Sequence, residues 1–225
     1  MLKQKMIFRK LTAMSVFIMA LGFMFPSLAS AQYWSGNPEG NGSVAVKFFS
    51  FFPNSNSNGL RDFSPGLGLG VDGRVNFGDY FALAGELDYI GVSSASQTYN
   101  VYDSYGNYVG SASDTAYFDD VAFKLDALVT LPAGIVVPFA GIGMVANYPT
   151  FTFSGYSSGY SASANTSGSG VGMEIVGGAD FMAGYNGAIT AQISIPVSQT
   201  VYFSDLGTNI DVGGFELMVG YRFIL

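Results

Sequence analysis

The chain has 225 residues, with 16 acidic and 9 basic residues, no Cys and no His, and its formal charge is −7. The lack of Cys excludes disulfides, thiolate metal sites and a lipid-anchored lipoprotein. The acidic charge argues against a nucleic-acid-binding protein, which needs a basic surface. Only 11% of the residues are charged while 16% are aromatic, which is unusual for a soluble domain.

The first 31 residues have the three-part layout of a secretory signal peptide. A basic start is followed by an apolar run and by the small-x-small sequence Ala-Ser-Ala, which predicts cleavage before Gln32. A membrane-anchoring helix is the alternative, but the run is short and Pro26 interrupts it. We therefore expect a signal peptide at 1–31 and a β-barrel domain at 32–225 that has five basic against sixteen acidic residues. The basic residues of the signal and the ends of its apolar run are Lys3, Lys5, Arg9, Lys10, Leu11 and Phe25.

The rest of the chain is divided by Gly, Ser and Asn clusters into segments that alternate in polarity with period two. This period is typical of β-strands, in which neighbouring side chains point to opposite faces. No later apolar stretch reaches the roughly 20 residues of a membrane-spanning helix. Eight strands are predicted, at 43–52, 64–77, 80–91, 116–131, 135–147, 171–183, 188–203 and 212–225.

Apart from Asp119 near the start of the fourth, charged residues occupy a single parity in five of the eight predicted strands. The opposite parity of the same strands is almost purely apolar, as in Leu67, Leu69 and Val71 or Leu217, Val219 and Tyr221. Each strand therefore has one polar and one apolar face. With Lys47 from the first strand, the charged set is Lys47, Asp72, Arg74, Glu86, Asp88, Asp120, Lys124, Asp126, Glu174, Asp180, Glu216 and Arg222.

Alternation alone does not distinguish a membrane barrel from a soluble lipocalin-type barrel or a β-sandwich. A membrane barrel is favoured over a soluble one because the apolar face continues through long strands, and because charged residues are scarce outside the polar face. The polar face is also rich in Gly, Ala and Ser, which suit a narrow interior. In lipid every backbone group must be paired, so a sheet with an apolar exterior has to close on itself. We predict an all-β fold, an eight-stranded antiparallel up-and-down transmembrane β-barrel.

Connector lengths alternate between short and long. Tight turns are predicted near residues 78–79, 132–134 and 184–187, and longer connectors at 53–63, 92–115, 148–170 and 204–211, with a hairpin turn at 103–107. Outer-membrane barrels have short periplasmic turns and long extracellular loops, which would put both termini in the periplasm. Aromatic residues near the strand ends are expected to form interfacial girdles; they are Phe77, Phe81, Tyr89, Tyr117, Tyr148, Phe203 and Tyr221.

The last strand carries Gly220, Phe223 and Leu225 at a Gly-x-x-aromatic-x-apolar spacing that ends the chain. This spacing resembles the final-strand assembly signal of outer-membrane barrels. Together with eight strands and alternating connectors, it makes the whole mature chain similar to the small barrels of the OmpA/OmpX type. The resemblance implies a Gram-negative outer membrane, with its lipid and lipopolysaccharide, and recognition by the barrel assembly machinery.

An enzyme is not expected, because the chain has no His to serve as a general base or to activate a nucleophile. The charged face is instead expected to form ion pairs that plug the narrow lumen of an eight-stranded barrel. This predicts a structural or surface-interaction role, in which loops rich in Tyr, Ser, Gly and Asn either bind a surface ligand or remain solvated. A narrow cation-preferring pore for ions or small solutes is the alternative, since eight acids face four cations.

No cofactor or metal is expected in the lumen. The outer rim carries several acids that either stay hydrated or recruit Ca²⁺ or Mg²⁺, which also bridge lipopolysaccharide phosphates. Both interpretations stay open at this point. These acids are Asp62, Asp103, Asp114, Asp119, Asp205 and Asp211, opposed mainly by Arg61.

Overall fold

A computed structural model describes residues 42–54, 60, 62–102, 104–131, 134–157, 160–183 and 186–225. The predicted signal peptide lies outside these residues. Within them no helix is long and apolar enough to cross a bilayer. The described chain forms eleven strands: β1 Gly42–Pro53, β2 Gly66–Phe77, β3 Phe81–Tyr102, β4 Tyr108–Thr130, β5 Val136–Asn147, β6 Thr150–Ser157, β7 Tyr160–Met182, β8 Gly187–Ser198, β9 Thr200–Phe203, β10 Thr208–Asp211 and β11 Gly214–Ile224.

Eight of these strands close into a ring. Every neighbouring pair is antiparallel, in the order β1-β2-β3-β4-β5-β7-β8-β11, and β11 pairs with β1 from Ser43↔Ile224 to Pro53↔Gly214. A closed ring has no unpaired edge, so its backbone groups satisfy one another without water. The predicted antiparallel ring of eight strands is thereby confirmed.

The remaining strands continue the wall at the long-loop end. β6 pairs with β4 and β7 in the register of β5, from which it is separated by Tyr148 and Pro149. Pro149 has no N–H to donate, which breaks the ladder without shifting it. β9 pairs with residues 168–170 in the middle of β7 and with β10. The segments 92–115 and 148–170, predicted as long connectors, are therefore largely strand.

The sequence-based prediction ends the strands of the β3–β4 and β6–β7 hairpins too early, because their outer residues are mainly small and polar on both faces. β3 and β4 stay paired up to Tyr102↔Tyr108, so residues 104–107 of the predicted hairpin turn lie at the tip, while Asp103 is outside the described residues. At the opposite end the connections are tight, and Gly78 and Gly134 adopt φ angles of 74° and 73° there. Such left-handed angles strain any side chain with a Cβ.

The two faces of the ring are as different as the sequence predicts. Large apolar side chains point outward, including Leu67, which is 67% exposed, and Val219, which is 58% exposed. Charged side chains point inward. The aromatic residues predicted as girdles are exposed on the outside at six of seven positions: Phe77, Phe81, Tyr89, Tyr117, Tyr148 and Tyr221.

Phe203 is the exception, and its prediction as a girdle residue was wrong. It is fully buried inside the mouth of the ring. The cause is a β-bulge in β8: Pro196 pairs with Glu174 and Ser198 with Met173, so Val197 is an extra residue. One extra residue reverses the faces of everything that follows. A second register shift, between Ile90 and Ser93 in β3, has the same effect on that strand.

Candidate functional site: the filled lumen

The structure places all twelve predicted charged residues inside the ring. Each is at most 5% exposed. Burying a charge without a partner is costly, so the side chains must pair with one another. Ten of the twelve do so, in two groups of ion pairs, one towards the tight turns and one towards the long hairpins.

Arg222 and Arg74 form the group near the tight turns. The Arg222 guanidinium binds Asp72 with two hydrogen bonds, Nη1 to Oδ1 at 2.9 Å and Nη2 to Oδ2 at 3.0 Å. Its Nε lies 3.2 Å from Asp180, whose other oxygen accepts a hydrogen bond from Arg74 at 2.6 Å. Arg74 also lies over the Phe139 ring at 4.4 Å from its centroid. The forked guanidinium geometry fixes these side chains across the lumen.

Lys47 links this group to the centre of the lumen. Its ammonium lies 2.6 Å from Asp72 and 2.7 Å from Glu86, and it donates a third hydrogen bond to the Gln192 side-chain oxygen at 2.9 Å. An ammonium has three N–H groups, and all three have partners here. Strands β1, β2, β3 and β8 are thus tied together through a single side chain.

Lys124 holds the second group. Its ammonium contacts Asp88 at 2.8 Å, Glu174 at 3.6 Å and Glu216. Ser194 donates a further hydrogen bond to Glu174. Four strands, β3, β4, β7 and β11, therefore meet at this one cation.

Two of the twelve residues have no ion-pair partner within 4 Å among the described residues. These are Asp120 and Asp126, both buried. Asp120 accepts a hydrogen bond from the backbone N–H of Tyr148 at 2.9 Å. With eight acids against four cations, the lumen carries four formal negative charges in excess.

An apolar layer, which the sequence did not predict, fills the lumen above the charged groups. It contains ten buried residues: Phe49, Phe51, Leu60, Ile90, Phe118, Phe151, Val201, Phe203, Val212 and Met218. Its rings are in contact, with Phe118 and Phe151 centroids 5.3 Å apart and Phe151 and Phe203 also 5.3 Å apart. One feature of the sequence could have revealed this layer. Phe49 and Phe51 lie on the same face of β1 as the inward-facing Lys47.

Inward-facing glycines make room for these side chains. A Cβ on Gly70 would meet the Asp88 carboxylate, one on Gly143 would meet Asp126, and one on Gly68 would overlap the Phe49 ring. The glycines are therefore needed to fit large groups into a narrow ring.

Three of the rim acids accept local hydrogen bonds. Tyr89 donates one to Asp119 at 3.1 Å, Tyr99 donates one to Asp114 at 2.9 Å, and Asp211 accepts one from the Gly213 N–H at 2.9 Å. Within the described residues no three acidic side chains come together as metal ligands. Asp103 and Arg61 lie outside the described residues.

Gly220 and Phe223 of the predicted assembly signal lie on β11, the last strand, and Leu225 directly follows it. Gly220 pairs with Lys47, and a Cβ there would meet the Val46 backbone carbonyl. Phe223 and Leu225 are on the outer face and more than half exposed. Its recognition by the assembly machinery stays a prediction.

The arrangement fills space and fixes strands to one another. A charged layer and an apolar layer lie in series along the ring axis, and the side chains of both are buried. Such a lumen can support a rigid scaffold.

Comparisons with known proteins agree with this architecture. The chain is similar in structure to Neisserial surface protein A, with a TM-score of 0.53 and 12% identity over 82% of this chain and 97% of that one. It is also similar to the outer membrane protein OprG from Pseudomonas aeruginosa, with a TM-score of 0.52 and 14% identity over 83% and 97% of the two chains. At such identities the likeness shows the fold alone. No curated protein sequence matches the chain significantly.

A sequence model of the outer membrane protein β-barrel domain matches residues 15–223, nearly the whole chain. This match agrees with the closed ring of eight strands, the apolar outer face and the charged interior. The chain therefore belongs to the outer membrane protein β-barrel family.

Proposed function

We propose that this protein is a non-catalytic outer-membrane barrel with a closed lumen, whose role is structural or depends on surface interactions of its extended hairpins. The observation that carries the proposal is the filling of the lumen by two successive layers. An ion entering from the tight-turn side meets the ion pairs of Arg74 and Arg222, and then those of Lys47 and Lys124. It then meets an aromatic layer in which Phe118, Phe151 and Phe203 are at most 3% exposed.

The hairpins supply the surface for interactions. The β3–β4 and β6–β7 hairpins continue well beyond the ring, and their exposed residues are mainly Tyr, Ser, Thr and Asn. Residues of this kind are adaptable in protein contacts. The proposed orientation puts these hairpins outside the cell, and the tight turns and both termini in the periplasm, as in other barrels of this type. The Leu225 N–H donates to the Gly42 carbonyl at 2.9 Å, which brings the ends of β1 and β11 together at the tight-turn side.

A narrow cation-preferring pore is the second candidate. The observation in its favour is the excess of four acids in the lumen, since a narrow low-dielectric channel with a negative field favours cations. Asp120 and Asp126 belong to this excess. For this candidate the ion pairs would have to rearrange to open a path.

Single-channel recording of the refolded mature protein in planar bilayers separates the two candidates. The closed-barrel proposal predicts no openings, whereas the pore candidate predicts small cation-preferring ones. Lys124→Ala should raise the conductance, because it removes both side-chain volume and the partner of three carboxylates. Asp205→Ala, in the exposed turn after β9, is the control and should leave the recordings unchanged. Large or anion-selective wild-type channels would contradict the closed lumen.

A further inference from the structure

A cavity of about 810 Å³ opens between the extended hairpins, above the apolar layer. Its walls come from β3, β4, β6 and β7, and Asp62 contributes from the segment before β2. Because the cavity lies outside the filled lumen, a molecule could occupy it without crossing the membrane. Its volume falls within the range of small-molecule sites, roughly 300–1,000 Å³.

The register shift in β3 determines what lines this cavity. Below the shift Asp88 and Ile90 face inward; above it the inward parity passes to Ser93, Ala95 and Gln97. Small residues on the neighbouring strands complete the walls and leave the space open. The apolar members of the lining are Ala95, Ala116, Gly155, Ala162, Ala164 and Phe153.

Phe153 provides a flat apolar surface in the cavity. Its ring stacks on Phe151 of the apolar layer, with centroids 6.0 Å apart and planes inclined by 21°, and it stays 43% exposed. The stacking fixes the orientation of the ring, so its outer face is available to a ligand. An aromatic face attracts cations as well as apolar groups.

The charge of the cavity is negative. Asp62 and Asp114 are among its lining residues, and none of the described lining residues is basic. Tyr99 donates a hydrogen bond to Asp114 at 2.9 Å, which raises the pKa of the Tyr99 phenol. A Cβ on Gly155 would lie 2.7 Å from Asp114 Oδ1, so the carboxylate is positioned directly over that glycine.

We propose that this cavity binds small organic cations that have an apolar face, such as aryl or alkyl ammonium compounds. The apolar part would lie on Phe153 and the alanine walls, while the ammonium group would lie near Asp62 and Asp114. The inference goes beyond the proposed function and does not depend on whether the lumen conducts. A basic peptide shares part of this chemistry, but it would need only the acids and not the aromatic surface.

The test is calorimetric titration of the refolded barrel in nanodiscs with benzyltrimethylammonium. Benzyl alcohol is the neutral comparison and benzenesulfonate the anionic one. Saturable binding of the cation is expected, with weaker binding of the alcohol and none of the sulfonate. Asp114→Asn should weaken cation binding about fivefold, the effect of losing roughly 1 kcal/mol of attraction at a partly exposed site.

Matched variants separate the site from general electrostatics. Asp205→Asn removes the same charge away from the cavity and should leave cation binding unchanged. Ala164→Leu places a bulky side chain beside Phe153, with which residue 164 pairs, and should weaken binding, whereas Asn165→Leu, at the neighbouring residue outside the cavity lining, should not. Gel mobility before and after boiling verifies that each variant is folded.

Several outcomes would overturn the proposal. These are the absence of saturable binding, equal binding of cation and alcohol, or equal weakening by Asp114→Asn and Asp205→Asn. Binding of a lysine peptide that competes with benzyltrimethylammonium but is insensitive to Phe153→Ala would assign the acids to a peptide surface instead.

Discussion

Replacing Lys124 by Met should destabilise the barrel more than any other single removal of a luminal cation. The ammonium of Lys124 contacts three carboxylates, those of Asp88, Glu174 and Glu216. The described residues provide no second cation within 4 Å of these three acids. Methionine keeps most of the side-chain volume, so the loss is mainly electrostatic. Removing one partner of a buried ion pair costs about 3–5 kcal/mol.

Arg74→Met is the matched comparison. Arg74 also contacts a buried acid, but Asp180 would keep Arg222, whose Nε lies 3.2 Å from its Oδ1. The expected cost is about 1.5–3 kcal/mol, typical of a lost hydrogen bond to a charged group. Glu216→Gln added to Lys124→Met should recover part of the loss, because one uncompensated charge disappears.

Urea unfolding in lipid vesicles, followed by the mobility of unboiled samples on gels, measures these differences. Wild type, both single variants and the double variant are compared at the same pH and salt concentration. Equal costs for Lys124→Met and Arg74→Met, or a cost below about 1 kcal/mol for Lys124→Met, would refute the pairing scheme. Failure of Glu216→Gln to recover stability would show that volume rather than charge determines the effect.

Three further predictions concern the ring itself. The mature protein should migrate differently before and after boiling in SDS and should need detergent for solubility, because a closed apolar ring resists unfolding; identical mobility together with solubility in plain buffer would contradict this. Gly68→Ala should cost about 1–3 kcal/mol in urea unfolding because its Cβ would overlap the Phe49 ring, whereas Gly85→Ala, with nothing within 4 Å of the new Cβ, should be neutral. Val71→Arg on the outer face should lower the free energy of unfolding in lipid by about 2–4 kcal/mol, and Thr98→Arg on the hairpin by about 0–1 kcal/mol. A similarly low cost for both would place both residues outside the bilayer.

Much of the ring was predictable because its side chains obey one rule. Within the ring, every residue must face either lipid or a narrow interior, so the parity of Asp72, Glu86 and Lys124 reveals the inward face. The apolar parity of Leu69 and Val219 reveals the outward face in the same way. Glycines in the tight turns, such as Gly78, allowed the ends of the strands to be predicted as well.

The same rule fails at the outer end of the barrel. There both faces meet water or polar residues, so the strands from 92 to 115 show no clear alternation although they are paired. The bulges at Val197 and between Ile90 and Ser93 leave no mark in composition, and this is why Phe203 was assigned to the wrong face. Ion-pair partners could be grouped from the sequence but not matched, since Arg222 and Asp72 are 150 residues apart along the chain.

The bulge at Val197 also makes the outer mouth sensitive to a change of length by one residue. Deleting Val197 would return the following residues to the parity of β8, so that Val201 and Phe203 would turn outward and Tyr202 inward. The ring pairs between β8 and β11, from Ser194 to Gly187, would not be altered. Inserting or deleting one residue at this point would therefore change which side chains fill the outer mouth of the barrel, while the membrane-spanning wall would stay the same.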